Sequence, residues 1–284
     1  MSIELLIAKQ NADGGWPYVR GASWTEPTAY AILALLADGE TRAVERGIRW
    51  MRLAQRPDGG WPPQLGVDQS AWVSALAALL PAGLLGAKAH EGAIQWLLGT
   101  SGEETTFVYR LRQWLLGNST VPDQEFAGWP WAPGAAAWVG PTALAILALD
   151  KEAALRPSPL IRERIDSGRK FLLSRTCSDG GWNHGSARAL GYELPSYPET
   201  TGMALLAMRG VRSGKIERAL ATAERFLGEC RSTDATNWLR LGLLVHGRLP
   251  ADCRRRESPE PRTLPEASLE VLATNAEKGR EFWC

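Results

Sequence analysis

The sequence predicts an all-α fold, an α/α toroid in which about six inner helices are surrounded by about six outer helices. Two observations predict it. The string Asp-Gly-Gly-Trp occurs three times, and apolar helical segments alternate along the chain with amphipathic ones. Self-similarity of this kind is typical of repeat architectures, in which neighbouring units bury a continuous core.

The first repeated element is a turn. It reads Gln-x-x-Asp-Gly-Gly-Trp at 10–16 and 55–61, Asp-Gly-Gly-Trp at 179–182, and a reduced Ala-Gly-Trp at 127–129. The paired glycines give a tight turn access to positive φ. Tryptophans that recur with such a turn are expected to pack structurally against the neighbouring helices.

The second repeated element is the start of an apolar helix. An acid is followed two residues later by Thr or Ser, as in Glu26-Pro27-Thr28 before the segment AYAILALL. These segments are apolar nearly all round, as buried helices are. We expect the acids and hydroxyls to cap their helices. The buried helices are predicted to begin near residues 27, 69, 105, 141, 200 and 235.

Amphipathic segments lie between the apolar ones and predict the outer ring. Since His90 falls on one of these segments, we expect it at the surface. The segments occupy residues 42–54, 87–98, 159–174 and 214–229.

The composition changes near residue 250. We predict the toroid over 1–250, and a charged, Pro-rich linker followed by a C-terminal helix and tail over 251–284. A helix at 266–280 could close the ring. The aromatic end of the tail either docks on the toroid or contacts another molecule.

Charge and composition limit the kinds of partner that the chain is expected to bind. The chain has 32 basic and 31 acidic residues, a net charge of +1 that gives no pull toward nucleic acid or anionic membranes. No apolar run reaches the roughly 20 residues that a membrane span needs. The first residues lack the layout of a signal peptide, and the four scattered cysteines favour free thiols in a cytoplasmic protein.

Aromatic and acidic residues are expected to meet at one end of the toroid, because they precede or begin the buried helices. Such a lining suits an apolar or cationic ligand, although the aromatic rings could instead fill the core. The aromatic residues are Trp24, Tyr30, Trp72, Trp138, Tyr197 and Trp238, and the acids are Glu26, Asp68, Glu199 and Asp234.

Three arginines, Arg110, Arg112 and Arg240, lie on helices that should face inward. A buried arginine needs a partner. These side chains either pair with the acids or bind a diphosphate or carboxylate, for which the guanidinium is well shaped.

The turn and the helix start, recurring in order, resemble the repeats of squalene–hopene cyclases and other class II terpenoid cyclases. The β subunits of protein prenyltransferases share the same α/α-toroid fold. The resemblance covers about residues 5 to 246. It implies the fold directly, whereas activity must be judged from the site residues.

The resemblance also implies a candidate acid. Class II cyclases protonate a polyene from the middle acid of an Asp-x-Asp-Asp-Thr-Ala motif. The best match here runs from Gly66 to Ala71 and keeps only that middle acid, as Asp68. Asp68 is therefore the candidate catalytic residue, with a helix cap as the alternative.

A prenyltransferase-like zinc is not expected. Such a site needs three protein ligands that converge on the metal. His90, His184 and His246 do not stand in that pattern with the cysteines or acids. We therefore predict no metal and no cofactor.

Three function classes remain. The main interpretation is a single-domain toroid that holds an apolar, isoprenoid-like small molecule, or a peptide or protein partner, in its central cavity without class II catalysis. The first alternative is a terpenoid cyclase that protonates an isoprenoid from Asp68. The second is a β-type subunit of a larger assembly.

Overall fold

A computed structural model describes residues 2–105, 111, 115, 126–186, 188–189, 192–251 and 260–284. Arg110 and Arg112 lie outside these residues, as does most of the buried helix predicted near 105. The described helices are, in chain order, α1 Ser2–Ala8, α2 Thr25–Asp38, α3 Arg42–Ala54, α4 Val73–Leu79, α5 Ala82–Leu85, α6 Ala87–Gly99, α7 Val139–Leu155, α8 Pro159–Ser174, α9 Pro198–Ala207, α10 Gly214–Glu229, α11 Thr233–Val245 and α12 Leu264–Ala276.

Strands are minor. β1 (Trp129–Pro130) pairs antiparallel with β2 (Ala137–Trp138), and β3 (Arg188–Ala189) with β4 (Tyr192–Glu193). Each strand has only two residues, so the predicted all-α class is confirmed.

The inner ring consists, in the described part of the chain, of α2, α4, α7, α9, α11 and α12. Each of these helices packs against the next, and α12 packs against α2, which closes the ring. The ring of described helices therefore closes with α12 as its sixth member. The start of α12 is fixed by Thr263, whose hydroxyl accepts a hydrogen bond from the Glu266 backbone N–H, and Leu264 and Leu272 are buried in the ring.

The outer helices α3, α6, α8 and α10 lie where the amphipathic segments predict them. The prediction that His90 is exposed is wrong. It lies on the inward face of α6, and its Nε2 is 3.0 Å from Oε2 of Glu152 on α7. The contact between His90 and Glu152 ties an outer helix to an inner one. Glu152 also pairs with Arg156, four residues further along, at 2.6 Å.

The repeated tryptophan joins each turn to the helix before it. The indole N–H of Trp16 donates to the carbonyl of Leu6 at 2.7 Å, that of Trp61 to Met51 at 2.7 Å, and that of Trp182 to Leu172 at 2.6 Å. These three indoles are fully buried. Their recurrence is therefore structural, as the sequence predicts.

The aspartate and the second glycine set the shape of the turn. Asp58 accepts hydrogen bonds from the backbone N–H of Gly60 at 3.0 Å and from the Ser70 hydroxyl at 2.8 Å. A Cβ on Gly60 would lie 2.6 Å from the Cβ of Ser70, so only glycine fits. Asp13 and Asp179 make the same bonds in their own turns.

The repeat's hydroxyl joins each turn to the helix after it. Thr28 accepts a hydrogen bond from the Trp16 backbone N–H at 2.9 Å, and Ser74 accepts one from Trp61 at 2.8 Å. The predicted capping role is wrong for Thr28, because the N-cap residue of α2 is Trp24, which makes no side-chain cap bond. It is also wrong for Ser70, whose hydroxyl donates to Asp58 in the turn.

Helices α9 and α11 approach each other more closely than side chains would allow. A Cβ on Gly202 would lie 2.3 Å from the carbonyl carbon of Trp238, and one on Gly242 would lie 2.6 Å from the Gly202 oxygen. Both positions therefore require glycine.

The C-terminal segment covers the end of the ring where the inner helices finish. Phe282 and Trp283 are buried, and the Lys151 ammonium on α7 donates to the Phe282 carbonyl at 2.9 Å. The aromatic end of the chain thus docks on the toroid.

Among the described residues, no helix combines the length and apolar character needed to cross a bilayer.

We predict that Trp61→Phe lowers the free energy of unfolding by about 1–3 kcal/mol, because the buried Met51 carbonyl loses its hydrogen-bond donor. Thermal and urea unfolding would measure the loss. Trp138→Phe is the matched control, since Trp138 is 37% exposed and should change stability little. Equal losses in the two variants would contradict a structural role specific to the turn.

Candidate functional site

A chamber of about 190 Å³ lies at the end of the ring where the inner helices begin. Its wall comes from two places in the repeat, two residues before and two residues after the hydroxyl. Residues four apart lie on the same face of a helix, so both places point inward. The residues before the hydroxyl are Glu26, Trp72, Gly140, Glu199 and Asp234, and those after it are Tyr30, Leu144, Met203 and Trp238. Helix α12 adds Pro265 and Leu269, also four apart.

Two aromatic pairs form part of the wall. Tyr30 and Trp238 meet edge to face with ring centroids 6.4 Å apart, and Trp72 meets Trp131 in the same way at 5.0 Å. The Trp72 backbone N–H donates to the Trp131 carbonyl at 3.0 Å, which holds the loop before α7 against α4. Such rings present negative faces that attract cations.

Asp234 is the carboxyl most altered by the chamber. Burial and, after it, the negative charges of Glu199, Glu266 and Glu26 together raise its pKa to about 7, against a hydrogen bond from Trp238 that lowers it. The neutral acid is therefore well populated at neutral pH.

The pKa of Glu26, a second carboxyl of the chamber, is also shifted upward. Burial raises the pKa of Glu26, while a hydrogen bond from the Tyr18 hydroxyl lowers it. Glu199 lies 3.5 Å from Nε2 of His184, which also borders the chamber.

The structure brings five predicted site residues together in the chamber: Glu26, Tyr30, Trp72, Glu199 and Trp238. Trp138 and Tyr197 line a neighbouring groove. Trp24 packs on Tyr18, with ring centroids 5.5 Å apart, and is not among the described lining residues of either cavity.

Arg240 does not face the chamber, contrary to the prediction. Its guanidinium pairs with Glu277 at 2.7 Å and donates to Asn237 at 2.6 Å. It thereby joins α11 to the end of α12, so its burial is compensated by a partner other than the rim acids. Arg110, also predicted to bind ligand, lies outside the described residues.

The placement of Asp68 corrects the sequence interpretation. Its side chain is 97% exposed and lies 2.7 Å from Arg56. The hydroxyl equivalent to Thr28 in this unit is Ser74, and the residue two places before it is Trp72. Asp68 is thus neither a helix cap nor a wall residue, and it lacks the burial needed to hold a proton.

Asp234 is among the acids that the sequence predicts at this end of the toroid, although the candidate proton donor predicted there is Asp68. The signal for Asp234 is the triplet Asp234-Ala235-Thr236, a weak match to the repeat. Trp131 and His184 carried no repeat signal because loops position them. Among the described residues, no group of three or more His, Cys, Asp or Glu side chains could hold a metal ion.

No protein-family model matches the chain. Over 209 residues it is 29% identical to a drimenyl diphosphate synthase of Streptomyces showdoensis, a match that covers 71% of this chain and 36% of that protein. Over 44 residues it is 48% identical to a squalene–hopene cyclase of Alicyclobacillus acidocaldarius, covering 15% of this chain and 7% of that protein. These matches span about a third of the relatives' length or less.

Solved structures show the same architecture. A type II terpene cyclase from Scytonema, in complex with geranylgeranyl dihydroxybenzoate, is 20% identical, with 96% of this chain and 77% of that chain covered and a TM-score of 0.54. An endo-β-1,4-glucanase from Acetobacter xylinum is 13% identical, with 98% and 97% covered and a TM-score of 0.64. At these identities the likeness shows the fold alone, and together with the curated relatives it identifies the chain as a terpenoid-cyclase-like α/α toroid.

Proposed function

We propose that the chain binds a linear isoprenoid in the chamber and cyclises it by protonation, with Asp234 as the proton donor. The observation that carries this proposal is a carboxyl with a pKa of about 7 inside an aromatic cavity. The reaction class is the one first considered for Asp68, with a different acid. The similarity to drimenyl diphosphate synthase and squalene–hopene cyclase supports the same class.

The proposed step moves one proton. The Asp234 carboxyl gives its proton to one carbon of a terminal C=C bond, and the other carbon becomes a tertiary carbocation. Remaining double bonds attack in turn and close rings. Loss of a proton from the last carbocation, or its capture by water, completes the reaction.

The chamber stabilises the pair of charges formed in this step, the Asp234 carboxylate and the carbocation, more than it stabilises the carboxylate alone before reaction. Before reaction, burial and the neighbouring acids disfavour the Asp234 carboxylate. Once the carbocation forms beside it, the two opposite charges stabilise each other in a desolvated site. The electrostatic gain is therefore largest where the barrier must be lowered.

The aromatic walls stabilise the cation as it moves along the polyene. Trp238 stands one helical turn from Asp234, Tyr30 meets Trp238 edge on, and Trp72 adds a third ring to the wall. A desolvated cation over such a ring gains about 2 kcal/mol.

The main sequence interpretation, ligand binding without catalysis, remains a second candidate. The same walls would hold an apolar molecule whether or not Asp234 transfers its proton. Product analysis separates the two. A subunit role in a larger assembly and a cytoplasmic location stay predictions from the sequence.

We predict cyclised products when the protein is incubated with farnesyl or geranylgeranyl diphosphate, or with the corresponding alcohols, and analysed by gas chromatography and mass spectrometry. Asp234→Asn should lower the rate by about 100-fold or more, because the amide cannot donate the proton. Since the acid form is required, the wild-type rate should fall as pH rises through about 7.

Asp68→Asn is the matched control and should keep the wild-type rate within about twofold, because Asp68 is exposed and lies outside the chamber. Wild-type turnover by the Asp234→Asn variant would contradict the assignment. Binding of isoprenoids without any product would instead favour the non-catalytic interpretation.

The state of Asp234 also predicts how stability changes with pH. Between its ordinary pKa of 3.8 and about 7, the folded protein keeps this proton while the unfolded chain releases it. Stability should therefore fall across this window, by about 4 kcal/mol at most. Asp234→Asn removes the titrating group, so its gain in unfolding free energy over wild type should be larger near pH 8.5 than near pH 5.

Urea unfolding at the two pH values checks this, with Asp68→Asn again as the control. A gain for Asp234→Asn that is the same at both pH values would show that Asp234 has an ordinary pKa. That result would remove the physical basis for its role as the acid.

A further inference from the structure

An apolar groove of about 400 Å³ lies beside the chamber. Trp138, Leu194 and Tyr197 are among the residues that line it. The two aromatic side chains are 37% and 41% exposed. Two large aromatic side chains this exposed, next to a cavity, are typical of a ligand-binding surface.

His184 borders both cavities. Its imidazole stacks on Tyr197 with ring centroids 5.1 Å apart, and its Nε2 lies 3.5 Å from Glu199. The backbone is fixed, since the His184 carbonyl accepts a hydrogen bond from the Val139 N–H at 2.9 Å. The side chain is 47% exposed, so it can rotate away while the main chain stays in place.

The chamber is too small for a long isoprenoid. An apolar cavity of about 150 Å³ accepts benzene, which has six carbons. On that scale the chamber's volume of about 190 Å³ holds roughly eight carbons, between one and two isoprene units. A ligand with three or more units must extend beyond it.

The charge of the chamber decides which end of the ligand enters. Its described wall carries Glu26, Glu199 and Asp234 and no lysine or arginine. A phosphate or other anionic head would meet no lysine or arginine there, and each ionised acid would repel it. The hydrocarbon end therefore lies in the chamber and the head group outside.

We infer that the groove is the second half of the binding site: an isoprenoid of three or more units runs from the chamber past His184 and lies against Trp138 and Tyr197. These two residues then determine which chain lengths bind. This inference rests on the proposed function, because it assumes that the chamber accepts an isoprenoid.

Calorimetric titration with geraniol, farnesol and geranylgeraniol, which contain two, three and four isoprene units, tests the inference without requiring turnover. Trp138→Ala and Tyr197→Ala should each weaken farnesol and geranylgeraniol binding about tenfold and change geraniol binding less than about twofold. Tyr192→Ala is the matched control, because Tyr192 is 76% exposed and lines neither cavity.

Three results are decisive. Selective weakening of the two longer alcohols supports the inference. Equal weakening of all three alcohols, or none in either variant, overturns it and leaves the proposed function intact. If no alcohol binds the wild-type protein, the proposed function fails and the inference with it.

Discussion

One tryptophan in each repeated turn connects three parts of the chain. Its indole N–H bonds to the preceding helix, and its backbone N–H bonds to the hydroxyl on the following inner helix. The hydroxyl thereby fixes both the depth and the rotation of that inner helix. The same bond recurs at Thr28, Ser74, Thr142 and Thr201. The residue two places before each of these hydroxyls therefore reaches the same cavity, as does the residue two places after three of them.

This arrangement separates stability from chemistry. The tryptophan, aspartate and glycine of the turn fix the scaffold, and they are the same in three units. The wall position before the hydroxyl is free to differ, and it is Glu, Trp, Gly, Glu or Asp in successive helices. A repeat fold can therefore change its chamber without changing the bonds that hold the ring together.

The weakened turn shows how the scaffold tolerates a lost element. In complete copies, Gln10 and Gln55 each donate to a carbonyl in the turn and to one on an outer helix. At Trp129, Arg164 replaces this link by donating to the carbonyls of Ala127, Gly128 and Thr100. Its guanidinium also lies 3.3 Å from the centre of the indole ring.

The toroid and its outer helices could be predicted from the sequence because both depend on periodicity. The register of the second unit could not. Ser70 and Ser74 are four residues apart, and string similarity aligned Ser70 with Thr28, although Ser70 bonds to the turn aspartate and Ser74 to the tryptophan. Only the folded chain shows which of the two hydroxyls bonds to the aspartate and which to the tryptophan. The alignment of Ser70 with Thr28 also made Asp68 the candidate acid.

The site was predictable as a set of aromatic and acidic residues, but its properties were not. The pKa of Asp234 depends on how much water the ring excludes and on how near Glu199 lies. The sequence predicts that Arg240 points inward, but it does not reveal the ion pair with Glu277, because Glu277 lies on the segment assigned to the tail. Both errors concern contacts between residues far apart in the chain.

The close contact between α9 and α11 links packing to acidity. Gly202 lies one turn after Glu199, and it touches the backbone of Trp238, one turn after Asp234. The distance between these two carboxyl-bearing helices is thus set by a residue with no side chain. Repulsion between charges falls as they separate. A single methyl group at position 202 would move the helices apart and make Asp234 a stronger acid, so a position without a polar side-chain atom helps tune the proton affinity of the chamber.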